Sequence, residues 1–162
     1  MASHRPDLKE IKRLAREFGV SKEAMARSYI EAQYEAIAVL VLDRGRLARV
    51  YRHSELPWIE TSVGKPVPPG SVATGHQLQP GEMSDIEECD PELWFNQRGA
   101  ARINVLTVQL LGQANGFAML LLHAELIQPS CFCLSLRPKA ILLRSYSCTV
   151  DAGCENQRGR KC

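Results

Sequence analysis

Long apolar runs are missing from this sequence. Its apolar runs, AIAVLVL at residues 36–42 and FAMLLL at 117–122, fall far short of the ~20 apolar residues that a membrane-spanning helix needs. The polar N-terminal region shows none of the apolar stretch of a secretory leader, so the expected compartment is the cytoplasm, with no membrane contact. A broad basic surface is missing too. Residues 1–126 carry 14 Lys/Arg against 16 Asp/Glu, and only residues 127–162 are basic, with 6 against 2. A protein that lived by gripping phosphates would be basic across its folded body.

Catalytic signatures are equally scarce. The four histidines, His4, His53, His76 and His123, include no pair four apart with a glutamate between, so a zinc-peptidase helix is excluded. His123-Ala-Glu125 resembles a fragment of such a motif without its second histidine. On an apolar strand, His123 reads as a half-buried, hydrogen-bonded side chain. No phosphate loop or Gly-x-Ser-x-Gly elbow occurs. Glu87, Glu88 and Asp90 read as a solvated acidic loop and not as a metal site. No catalytic, cofactor-binding or metal-ligating residue is therefore expected in this chain.

Cysteine is almost absent from the body. Five of the six cysteines crowd into residues 131–162, whereas a secreted disulfide scaffold distributes them through its fold. Cys131-Phe-Cys133 is cramped for a zinc knuckle, so these thiols read as uncommitted, in a tail with no sustained periodicity.

What is present begins with two helices. Asp7 is suited to cap the first, whose stripe is Leu8, Ile11, Leu14, Ala15 and Phe18. Gly19 ends it, and Ser21 caps a second helix with Ala24, Met25, Tyr29 and Ala32 as its apolar positions. After Glu35 the period changes. AIAVLVL (36–42) and LARVY (47–51) flank Asp43-Arg44-Gly45, a β-hairpin pattern. Residues 56–70 hold four prolines and two glycines, which leaves a loop or short edge strand. SVATGHQL (71–78) fits a short helix capped by Ser71. RINVLTVQLL (102–111) and GFAMLLLHAEL (116–126) form a second hairpin across Gly112–Gly116.

The expected fold class is α+β: a helix-turn-helix-like pair over 1–34, an antiparallel sheet region over 35–126 and a poorly ordered tail over 127–162. A sheet with one apolar face would bury Leu40, Leu42, Trp58, Val105, Val108, Phe117, Leu120 and Leu122. In a DNA-reading helix pair, the second helix presents polar and basic groups to the groove. Here the candidates are Ser21, Lys22 and Arg27. With Glu23 and Glu31 among them, a solvent-facing helix with a Glu23–Arg27 pair is the simpler reading.

The order of segments resembles the downstream half of the ImmA/IrrE family of zinc metallopeptidases. The matching stretches are IKRLAREFGVSKEAMARSYI (11–30), AIAVLVLDRGRLARVYR (36–52), LPWIETSVGKPVPPGSVA (56–73), Trp94-Phe95 and NGFAMLLL (115–122). The resemblance implies a GAF-like sheet and a regulatory, non-catalytic role. The family's zinc ligands and general base belong to an upstream HExxH segment with no match here, so zinc is a cofactor of the full-length family and not of this chain. The implied partners are a peptidase domain or a helix-turn-helix repressor protein, which such enzymes cleave. The alternative is a small DNA-binding transcriptional regulator that uses residues 14–33.

Overall fold

Leu8–Glu17 forms helix α1 between two capping arrangements. The Asp7 side chain accepts a hydrogen bond from the Lys9 amide, with Glu10 in the first turn and Arg16 in the last. At the other end Gly19 takes φ +66°. The Val20 amide bonds to the Ala15 carbonyl at 3.0 Å and the Gly19 amide to that of Arg16 at 3.4 Å, the paired bonds of a Schellman motif. Ser21 then caps α2 (Lys22–Ala32), its hydroxyl accepting from the Ala24 amide at 3.1 Å. The computed structural model describes residues 5–75 and 78–127. The expectations for the tail and its cysteines lie outside them.

The sheet that follows has five antiparallel strands: β1 (Ala36–Asp43), β2 (Arg46–Arg52), β3 (Glu87–Cys89), β4 (Ile103–Gly112) and β5 (Phe117–Leu126). Their order is β2-β1-β5-β4-β3, so the architecture is α+β as expected. Both hairpins form where the turn residues place them. Asp43 pairs with Arg46 across Arg44 and Gly45, and Gly112 pairs with Ala118. Positive φ at both Arg44 and Gly45 gives the turn the twist its strands require.

Alternation along the central strands sorts two cores. Ile37, Val39, Leu111, Met119 and Leu121 meet Leu8, Ile11, Ala26 and Ile30 of the helix pair. Ala38, Leu40, Leu42, Val108, Leu110, Leu120 and Leu122 face a layer of loops carrying Leu56, Ile59, Val67, Trp94 and Phe95. The sheet therefore has two apolar faces where one was expected. That explains why AIAVLVL lacks alternation: β1 is covered on both sides.

Several expected positions are displaced. Leu40, Leu42, Val108, Leu120 and Leu122 are buried, but Trp58 is 71% exposed and Phe117 39%, while Val105 sits half-buried at a break in the β4 register. Trp94, fully buried, occupies the aromatic seat of the loop layer. Phe117 opens β5 opposite Asp43 at the strand tips, beyond the packed layers. In α1 Phe18 is exposed past the last turn. In α2 the buried pair is Ala26 and Ile30, one position beyond the expected Met25 and Tyr29.

The 56–70 segment is a loop whose Lys65 carbonyl and Gly64 amide bond to Leu47 of β2. A one-turn helix, α3 (Val72–Gly75), follows, but the Ser71 hydroxyl is buried without a hydrogen bond and does not cap it. The acidic stretch contributes the short strand β3, and a second one-turn helix, α4 (Gln97–Ala100), leads into β4.

Candidate functional site

Ser21 is occupied as a cap. Arg27 lies beside Glu31 at 3.4 Å, not Glu23, so the expected Glu23–Arg27 pair does not form. Glu23 instead reaches the sheet. Its carboxylate accepts from the Arg49 guanidinium at 2.5 Å and from the Tyr51 hydroxyl. These bonds, Tyr51 first and Arg49 second, hold the Glu23 carboxyl below its ordinary range. Lys22 remains at the start of α2 without drawing Ser21 and Arg27 into a shared basic cluster.

The turn joining the helices shows a different character. Phe18 is 65% exposed and Val20 is 44% exposed, on either side of Gly19. Two bulky apolar side chains thus stand in solvent at the tip of the pair.

A cleft of about 570 Å³ lies where β5 ends and β1 begins, lined by Arg5, Tyr34, Glu35, Glu55, His123 and Glu125 among others. His123 is buried on β5 between Ile37 of β1 and Thr107 of β4, with Nε2 2.8 Å from a Glu35 carboxylate oxygen. Burial pushes the imidazole below its ordinary range, against the pull of Glu35 and with the help of Arg5. A neutral His123 suits this buried place, and Nδ1 is buried without a hydrogen bond. The Thr107 hydroxyl, the nearby candidate nucleophile, is turned to the His123 carbonyl at 3.4 Å. A histidine oriented by a carboxylate is half of a base-activated nucleophile device; the other half does not face Nδ1 among the described residues. No group of three metal-ligating side chains occurs among them either.

His123 lies on an apolar strand as expected, but it is buried where half-burial was expected, and its neighbour Glu35 was missed. The available signal was that an imidazole buried among strands needs an acceptor, and Glu35 lies two residues before its cross-strand neighbour Ile37. Glu87 and Glu88 are exposed, as expected of a solvated acidic segment.

Near the other end of the sheet is a recess of about 940 Å³ with Leu42, Leu110 and Ala118 on its walls and Arg44, Gln113 and Asn115 at its rim. That size and mixture of apolar surface with a few polar groups falls in the range of small-molecule pockets. At the sheet edge, Arg52 stacks over the Trp58 ring, 5.3 Å from its centroid. No described helix is long and apolar enough to cross a membrane. Compared with known proteins, the chain matches no family model and no curated sequence.

Proposed function

We propose that this chain is the non-catalytic, regulatory portion of an ImmA/IrrE-type metallopeptidase, a GAF-like cytoplasmic module whose helix pair docks a protein partner. The observation that carries the reading is the exposure of Phe18 and Val20 at the α1–α2 turn. Neither side chain serves the module's own core. Covering each is worth about 1.5–3 kcal/mol, so a partner that seats both gains substantial affinity. The partner is a peptidase domain or a repressor of helix-turn-helix type, and the zinc belongs to the peptidase domain. The recess at the strand tips supports a sensory role for the sheet.

The alternative, a DNA-binding regulator, has less support: Ser21 is a cap, Arg27 lies beside Glu31, and Glu23 faces the sheet. Isothermal titration of the purified chain against an ImmA/IrrE-type peptidase domain, and separately against a repressor of the kind such enzymes cleave, tests the proposal. Binding weakened at least tenfold by Phe18→Ser with Val20→Ser supports it. No binding to either protein, with gel-shifted DNA released steeply by salt, would replace it with the alternative.

A further inference from the structure

The two open edges of the sheet carry opposite charge. On the β2 side, Arg44, Arg46, Arg49 and Arg52 occur with no acidic residue between 44 and 54. On the β3 side, Glu82, Asp85, Glu87, Glu88, Asp90 and Glu92 occur with no basic residue between 82 and 97. Arg46 and Arg49 are exposed, as are Asp85, Glu87, Glu88 and Asp90. Charge on edge strands ordinarily blocks edge-to-edge pairing by repulsion. Here repulsion operates only between like edges: β2 against β2, or β3 against β3. It does not operate between β2 of one molecule and β3 of another.

The backbone of these edges is also available. The loop at 64–67 covers the start of β2, bridging Arg46 and bonding the Leu47 amide and carbonyl at 2.9 and 2.7 Å, and leaves the later half of the strand open. The His53 amide points inward to Ile37. By alternation Tyr51 and Arg49 then also bond inward, and Val50 and Arg52 turn their backbone groups outward. No described residue pairs with them. The open length, 49–52, accommodates a strand as short as the three-residue β3, which is itself the terminal strand of the sheet. Apolar side chains flank both edges: Trp58 and Val63 beside β2, and Ile86 beside β3.

We infer that a second copy of this chain adds its acidic β3 edge to the open half of the basic β2 edge, extending the sheet head to tail. All neighbouring strands are antiparallel, so β2 and β3 run in the same direction, and simple translation pairs them in parallel. Cross-strand partners place Glu87 on the loop-covered face with Arg52, and in that parallel register Glu88 falls beside His53 on the helix-covered face, where Arg49 is already held by Glu23. Each added copy leaves one edge of each sign free, so the association is heterologous and open-ended.

Sedimentation velocity of the full chain from micromolar to near-millimolar concentration tests this at low and physiological ionic strength. The Debye length falls from about 30 Å at 0.01 M to about 8 Å at 0.15 M salt. The wild-type chain is expected to grow in average mass with concentration and to shrink back with salt. Two doubly substituted chains, Glu87→Lys with Glu88→Lys and Arg46→Glu with Arg52→Glu, are each expected to stay monomeric. Their equimolar mixture brings edges of opposite sign together again and is expected to associate. A wild-type chain that stays monomeric at low salt overturns the inference, as does either variant dimerising alone. A mixture of variants with native circular dichroism that fails to associate overturns it too.

Discussion

The side-chain oxygen of Gln109, on the helix-covered face of β4, accepts a hydrogen bond from the Leu8 amide at 2.8 Å. Both residues are buried. The first amides of a helix have no partner within it, and here one of them is satisfied by the sheet on which the helix packs. The bond fixes where α1 begins relative to β4.

Replacing Gln109 with leucine keeps the bulk but leaves the Leu8 amide buried and unpaired. The expected cost is about 1–3 kcal/mol, read as a lower urea midpoint at unchanged slope. An unchanged midpoint would show that the tether contributes nothing.

Gly112 admits no side chain. A Cβ built there lies 2.4 Å from the Gln79 carbonyl oxygen and 2.9 Å from that of Leu78. The Gly112 backbone also holds the Gly81 and Glu82 backbone at 2.8 and 2.9 Å. Gly112→Ala must push this segment away, at an expected cost of about 1–3 kcal/mol seen in thermal unfolding. A Tm equal to wild type would mean the segment yields freely.

Two residues of the same strand should respond differently to aspartate. Leu120 is fully buried in β5, so Leu120→Asp is expected to abolish soluble expression. Phe117, partly exposed at the tip, should tolerate the change and retain a native far-ultraviolet spectrum. Equal behaviour of the two would contradict the layering of the sheet.

Acidification should destabilise the protein through His123. Burial holds its folded-state pKa below the ordinary 6.5, with Glu35 and Glu125 opposing that shift and Arg5 assisting it. A depressed histidine pKa contributes stability that is present above pH ~6.5 and lost as pH falls toward the folded value. Glu23, also depressed, withdraws a smaller contribution lower still, since its ion pair with Arg49 is partly open to solvent. Urea titrations between pH 7 and 5 should show the loss, and His123→Gln should flatten it. A stability that rises on acidification would reverse the assignment.

The Cys89 thiol should be sluggish. Burial, with Asp90 adding to it, pushes its pKa up to about 11, so almost none is thiolate at neutral pH. Peptide mapping after brief iodoacetamide treatment of the native protein should find Cys89 unmodified and, after unfolding, fully modified. Rapid labelling in the native state would overturn this.

Much of the backbone was legible because local chemistry dictates it. Asp7, Gly19 and Ser21 mark helix ends by capping rules, and Asp43-Arg44-Gly45 marks a turn by its conformational demands. What escaped depends on distant partners. Glu23 had Arg27 at helical spacing, yet Arg49 and Tyr51 offered two bonds at once. Trp58 reads as core by size, but Trp94 fills the loop layer. The strand at Glu87–Cys89 carries acidic side chains with low strand preference and exists because β4 offers it an edge. His123 was correctly placed on a strand; its partner Glu35 became visible only once β1 lay beside β5.

That adjacency sets a clock on the making of the protein. Leu40 pairs with Leu120, so β1 waits some 80 residues for its neighbour. At roughly 5–20 residues per second, the most apolar strand of the molecule spends several seconds of synthesis with one edge unsatisfied. In that interval β2 and the two helices are its shelter, and a chaperone that recognises short apolar segments would find its target at residues 36–42.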